Sequence, residues 1–477
     1  MFRVSRLRVF ILLGVLLQLF DFNIFAEELL KSEGNKKDIL IVNLEESLNI
    51  ALEKNRQRLV SKAAIEIAKA QHAQALSAYW PQLKLTATAI RMDEDPIFTF
   101  PGKTFTVPML GSVQVPENDV KHMDRDTLLS ALALTYPVYT GGKRAAISKQ
   151  AEIGIKIARE SARRTDLQVI YDVNRIYYGS VLARELRKLG QETLERFEVT
   201  LDLTEHLYKK GAGTVKKTDY LRTQVIVSSI RSMLELLRSN ESLAKAALIN
   251  SMGLDWKTQI ELSEEEIPFR PLKSDLIKLV TEANQFNPDL TQLQLALKIA
   301  RAKIKENKSG YFPMIAFTGN LKHIENSYDK GLTNSTNRDS WTIGLAMELP
   351  LFNGFRTKSK VREAVARLDK IKQEKILFRE GITLHVKDAF LQIARAQGQV
   401  GATEEALNAA QENRELNVRA YQDELVETRD VIEAQLLESF INAQYLKALY
   451  DHIENLTRLE FIIGKAVKRT IEYGEIK

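Results

Sequence analysis

The sequence predicts a mainly helical chain that also builds part of a membrane β-barrel. Long antiparallel coiled-coil helices form a tunnel, and each chain adds four strands to the barrel. Three observations carry this expectation. Trp341, Ile343, Leu345, Met347 and Leu349 alternate with Thr342, Gly344, Ala346 and Glu348, which gives a strand one large apolar face and one small or polar face. About nine such residues at ~3.3 Å each cross a hydrocarbon core at a tilt. All 11 prolines sit at 81, 96, 101, 108, 116, 137, 268, 271, 288, 313 and 350, so residues 138–267 and 351–477 have none. Proline costs about 3 kcal/mol inside a helix, and its absence fits long unbroken helices. Finally, the halves repeat. Trp80-Pro81-Gln82-Leu83 answers Phe312-Pro313-Met314-Ile315 at an offset of 232, and Tyr136-Pro137 through Lys143 answers Leu349-Pro350 through Arg356 at 213.

Taken in order, Met1–Ala26 reads as a secretory signal, with Arg3, Arg6 and Arg8 before the apolar run Val9–Phe20 and the small Ala26 after it. A retained signal anchor is the alternative reading. Residues 27–43 are a polar lead-in to the first structural repeat, 27–252. Leu44, Leu48, Ala51, Leu52, Leu59, Ala63, Ile67 and Ala70 predict one helix running to Tyr79, stopped by Trp80-Pro81. Strands follow at 82–91 and 127–138, joined by a proline-bearing loop. Thr140-Gly141-Gly142 returns the chain to helix, and the stretch from Tyr208 to Leu221 reads as a turn between two antiparallel helices. An equatorial element occupies 253–275. The second repeat, 276–466, holds strands at 313–321 and 341–350 and a second turn from Tyr421. Residues 467–477 form a C-terminal tail.

Composition narrows the function. The 68 Lys and Arg stand against 62 Asp and Glu, a net charge of +6, and the signs alternate along the helices. Nucleic acid would need a one-sign stripe, so no nucleic-acid partner is expected. With no cysteine, disulfides, thiolate metal sites, a cysteine nucleophile and a cysteine-linked lipid anchor are all excluded. The six histidines have no ligand spacing, Gly141-Gly142-Lys143 lacks the upstream glycine of a phosphate loop, and no G-x-S-x-G or H-E-x-x-H occurs. No catalytic residue, metal or cofactor is expected, and Asn334-Ser335-Thr336 reads as a polar loop. No apolar run of 18 follows Ala26, so an integral protein of this sequence must be a barrel. Four strands are too few for a pore, and a lipid-exposed sheet cannot keep open edges, whereas three chains would supply twelve strands.

Between about Leu44 and Gly464 the sequence resembles the TolC family of outer-membrane efflux and secretion channels. The resemblance rests on the run Leu44 to Asn55, the strand-entry prolines Pro81 and Pro313, the strand exits Pro137 to Gly142 and Pro350 to Gly354, and the turns at Tyr208 and Tyr421. It implies a homotrimer in the outer membrane whose twelve-stranded barrel stands above a helical tunnel in the periplasm. A periplasmic adaptor and an inner-membrane pump of the RND, ABC or MFS type would dock on that tunnel, serving efflux or type I secretion. By the same resemblance, Asp430 and Glu433 fall where family members carry an acidic pore gate. The alternative is that both carboxylates merely favour a helix N-terminus. Thr218, Asp219 and Tyr421 match latch positions. The family's arginine partner falls on Val426, leaving Arg429 or Lys216 and Lys217 as substitutes. Gly211, Gly213 and Glu424 occupy adaptor-contact turns, although a turn glycine also serves plain backbone geometry.

A secreted helical scaffold or adhesin without a pore is the competing expectation. It accounts for the helices and the signal but leaves the apolar-faced strands unused.

Overall fold

The computed structural model describes residues 39–465 apart from 110, 212–214, 265, 329 and 332–337. The signal segment 1–26, Gly213, the Asn334 tripeptide and the tail 467–477 therefore lie outside the described residues. The chain opens with β1 (Leu40–Val42), α1 (Leu44–Lys54), α2 (Arg56–Ser77) and β2 (Gln82–Arg91). Four short strands follow: β3 (Ile97–Phe100), β4 (Lys103–Val107), β5 (Gly111–Val115) and β6 (Asn118–Lys121). Then come β7 (Asp126–Tyr139), α3 (Lys143–Lys210), α4 (Lys217–Met252) and β8 (Ile260–Leu262). The second half contains α5 (Leu276–Phe286), α6 (Pro288–Lys308), β9 (Met314–Asn326), β10 (Asp339–Glu348), α7 (Arg356–Gln422) and α8 (Thr428–Ile463).

The main sheet is antiparallel in the order β10-β9-β7-β2. Its register aligns whole rows of side chains. Trp341, Leu321, Leu132 and Leu85 stand opposite one another, and Ile343, Gly319, Leu134 and Leu83 form the next row. The intervening row on the other face is Thr342, Asn320, Ala133 and Lys84. One face of the sheet is thus apolar and exposed, with Trp341 at 70% and Leu345 at 74%, while the other is small and polar. Strands β2 and β10 leave both edges unpaired within the chain. Among the described residues, no helix is long and apolar enough to cross a membrane.

Two expectations are corrected. The proline-bearing loop is a two-storey hairpin in which β3 pairs with β6 and β4 with β5. Phe105 and Val107 share one face of the outer storey with Val113 and Val115, a period-2 pattern that the flanking prolines cut too short to stand out. The single helix expected from Leu44 to Tyr79 breaks at Asn55, which leaves the helical region (ψ 129°) and caps α2 by accepting from Gln57 N at 2.9 Å. Asn287 does the same for α6, accepting from Asp289 N at 2.9 Å and Leu290 N at 3.1 Å.

These two asparagines also bolt each half together. Asn55 Nδ2 donates to Ser251 O at 2.7 Å, and Asn287 Nδ2 donates to Ile462 O at 2.9 Å, each reaching the end of a returning helix. Those helices end in left-handed glycines, Gly253 (φ 73°) and Gly464 (φ 80°). A Cβ on Gly253 would lie 2.4 Å from Lys54 O, and one on Gly464 would lie 2.5 Å from Phe286 O. Only glycine fits such a contact. Arg163 of α3 closes the second joint, donating to Phe286 O at 2.7 Å and Gly464 O at 3.0 Å. Two buried cores flank this level, one around Tyr177, Leu248 and Met252, the other around Val386, Ile393 and Leu459.

Candidate functional site

The two helical turns form the tip remote from the sheet. The first follows α3, whose last residues precede Gly211 in the left-handed region (φ 74°). The second follows α7 and places Glu424 in the equivalent slot (φ 58°), a conformation that costs a non-glycine residue about 1–2 kcal/mol. Each returning helix then starts with the same device. Asp219 Oδ2 accepts from Lys216 N at 2.9 Å, and Asp430 Oδ2 accepts from Glu427 N at 3.2 Å. Both carboxylates sit where the positive end of the helix dipole favours them. Asp430 thus caps α8 while remaining partly exposed, with Arg429 Nε 4.0 Å away. Glu433 is exposed, on the side of α8 that also presents Leu436, Leu437 and Phe440.

The latch residues are not gathered in one place. Thr218 is exposed, and Asp219 caps its own helix with Arg222 at 3.8 Å. Tyr421 is buried, and its hydroxyl is hydrogen-bonded to Thr204 Oγ1 and Thr428 Oγ1, both at 2.9 Å. What joins the first turn to the second is apolar. Val215 packs in one cluster with Leu207, Tyr421 and Val431, against which Val418 and Val426 are also seated. Val426, in the position expected to lack a partner, belongs to this contact.

Sequence reasoning missed the seam that continues upward from Tyr421 between α3 and α8. Gln435 Nε2 donates to Thr200 Oγ1 at 3.0 Å, and Thr193 Oγ1 meets Ser439 Oγ at 3.0 Å. Between them Glu438, only 3% exposed, stands 3.4 Å from Arg196 of α3 and 3.4 Å from Arg414 of α7. A buried carboxylate needs such partners, because desolvating an unpaired charge is costly. The spacing of Thr193, Thr200 and Thr204 along one helical face was the available signal. The gate candidates and this seam occupy opposite sides of α8.

The described residues contain no group of His, Cys, Asp and Glu able to hold a metal ion. The outer membrane efflux protein family pattern matches residues 47–254 and 279–465. The chain belongs to that family. Its members are channel proteins of the outer membrane, and this chain is accordingly an outer-membrane protein reaching into the periplasm. The alkaline protease secretion protein AprF of Pseudomonas aeruginosa is 23% identical over 363 residues, covering 72% of this chain and 70% of that relative. The probable efflux pump outer membrane protein TtgC of Pseudomonas putida is 25% identical over 308 residues, covering 64% of this chain and 60% of that relative. In fold, the CmeC outer membrane channel of Campylobacter jejuni superposes with a TM-score of 0.72 at 15% identity, covering 91% of this chain and 90% of that one.

Proposed function

We propose that three copies of this chain close a twelve-stranded barrel and act as a passive exit duct for a pump-driven tripartite efflux or type I secretion system. The observation that carries the reading is the sheet. Its apolar face is exposed, its opposite face is polar, and its edges β2 and β10 are unpaired, a state lipid does not tolerate. Pairing each β2 with the β10 of the next copy removes every edge. In this reading the domains run as a signal at 1–26, repeats at 27–252 and 276–466 around the equatorial element 253–275, and a tail at 467–477.

At the tip, three copies of Glu433, backed by Asp430, form an acidic ring that concentrates cations and repels anions. The cluster around Val215 and Tyr421 holds the two turns together when the ring is closed, with Thr218 and Asp219 beside it. Gly211, Gly213 and Glu424 meet the periplasmic adaptor, and the adaptor carries the inner-membrane pump. The names of AprF and TtgC support protein secretion and pump-driven efflux as the two kinds of duty.

Single-channel recording of the purified protein in a planar bilayer tests this. Small cation-selective steps are expected, and D430N/E433Q should raise conductance and weaken cation preference. Folded protein that never gives steps would favour the pore-free scaffold. Unchanged selectivity in the double variant would remove these residues from the gate.

A further inference from the structure

A groove of about 880 Å³ opens where the helices leave the sheet, between the start of α3 and the end of α6. Its rim is Gly141, Gly142 and Phe312, directly beyond the ends of β7 and β9. Its floor is apolar, including Ala146, Ile153, Leu295 and Ala302. Its walls carry Lys149 and Lys156 from α3 and Lys298, Arg301, Lys305 and Lys308 from α6.

The lysines of α3 are satisfied, since Glu152 pairs with Lys149 at 2.7 Å and with Lys156 at 3.1 Å. On α6, Lys303 pairs with Glu306 at 2.7 Å, whereas the four cations that line the groove are exposed and have no carboxylate of the described residues within 4.0 Å. Their spacing of three and four places them on one helical face. Lys305 and Lys308 could be there for the helix dipole, but that effect fades beyond the last turn and leaves Lys298 and Arg301 unexplained.

The internal repeat is a control for what the fold itself requires. At the offset of 232, the counterparts on α2 are Glu66, Lys69, Ala73 and Leu76, and Lys69 is already paired with Glu66 at 2.7 Å. The basic face is therefore not a demand of the architecture. Its level in the molecule identifies its partner. Trp80, Phe312, Phe352 and Phe355 are all at least half exposed around the strand-to-helix junction, as aromatic side chains are at a membrane–water boundary. Both long helices begin there with cations, Lys143 and Arg144 on α3 and Arg356, Lys358 and Lys360 on α7, against the preference of a helix N-terminus for anions.

We propose that this groove binds the headgroup of an anionic phospholipid from the periplasmic leaflet. Lys305 and Lys308 contact the phosphate, and Arg301 and Lys298 extend the positive field about one Debye length into the periplasm. The apolar floor receives the glycerol end. This assignment rests on the barrel reading above, because that reading puts the junction at the membrane surface.

The test is lipid retention by the delipidated full-length protein, read by native mass spectrometry with phosphatidylglycerol or phosphatidylcholine added. Phosphatidylglycerol should be retained at least about tenfold better. The exposed quadruple variant K298A/R301A/K305A/K308A should erase the preference, and K370A/K372A, elsewhere on α7, should keep it. Equal retention of the two lipids, or a preference that survives the quadruple variant, overturns the proposal. So does inorganic phosphate protecting the groove while phosphatidylglycerol is not retained, which would mark a site for free anions. Conductance recorded on the same preparations separates the two failures. Normal channel steps with no lipid preference reject only this site, whereas absent steps reject the barrel reading beneath it.

Discussion

The two halves of the chain are built on one plan, which they keep at the joints and depart from elsewhere. At the joints they agree. Asn55 and Asn287 make the same caps and the same cross-links, and Gly253 and Gly464 turn the same corner against a neighbouring carbonyl. Away from the joints they diverge. Gly142 (φ 83°) corresponds to Phe355 (φ 61°), and Gly211 corresponds to Glu424, so the second half twice places a side chain where backbone geometry favours glycine. After the turns the offset becomes 211, and there Arg222 corresponds to Glu433, Val227 to Glu438, and Ile249 to Glu460. At Gly142, Gly211, Val227 and Ile249 the first half keeps the neutral residue that the backbone or the core accepts without cost. At those four positions the second half carries the charge or the strain instead.

This contrast can be broken experimentally. The largest effect should come from Glu438, whose counterpart Val227 is simply buried apolar surface. Glu438→Ala removes the carboxylate between Arg196 and Arg414, leaves them only Thr193 Oγ1 and Glu415 as partners among the described residues, and should cost about 3 kcal/mol in denaturant unfolding. If the α3–α8 seam holds the tip closed, the same variant should raise bilayer conductance. A cost below about 1 kcal/mol would mean that the node is solvated and inert. Next come the glycines, which share a backbone conformation but not surroundings. Gly253→Ala should cost more than about 2 kcal/mol, because strain and a 2.4 Å clash add. Gly211→Ala, with nothing within 4 Å of its Cβ, should cost only about 1 kcal/mol. Equal costs would show that the joint yields.

The smallest effect is in pH. Burial pushes the Glu460 carboxyl up from an ordinary 4.5 to about 7, with Arg270 opposing the shift. A raised carboxyl favours the protonated fold, so its stabilising share is present below about pH 4.5 and is lost as pH rises through 7. The melting temperature should fall across that window, and Glu460→Gln should flatten this part of the profile. An unchanged profile would assign the dependence to other groups.

Much of this fold was legible because its signals are long. Ten alternating residues in β10 or 68 helical residues in α3 average out local exceptions. What escaped was short or relational. One asparagine split a helix without proline, because capping and a cross-link to Ser251 outweigh one lost turn. The outer hairpin was hidden by prolines at 96, 101, 108 and 116, which bound strands of four or five residues. At the tip, two readings of Asp430 and Glu433 were open, a gate or a helix N-terminus, and only the structure shows that Asp430 caps α8. Nor could the sequence show that Thr193 and Thr200 meet α8 and that Thr204 meets Tyr421 of α7, because those pairings exist only across the repeat.

The position of the glycine joints has a mechanical consequence. Each returning helix, 36 residues in both halves, is about 54 Å long; asparagine, glycine and neighbouring carbonyl clamp its upper end, and below that it is held by side-chain contacts such as, on α8, Gln435 to Thr200 and Glu438 to Arg196. Such a helix is a lever with its fulcrum at the equator. A tilt of about 5° at the joint, well within ordinary helix-shift motions, sweeps the far end through about 5 Å. A gate at the tip of the kind proposed above would thus be widened by a torque applied halfway along the molecule, with no helix unwinding and no strand disturbed.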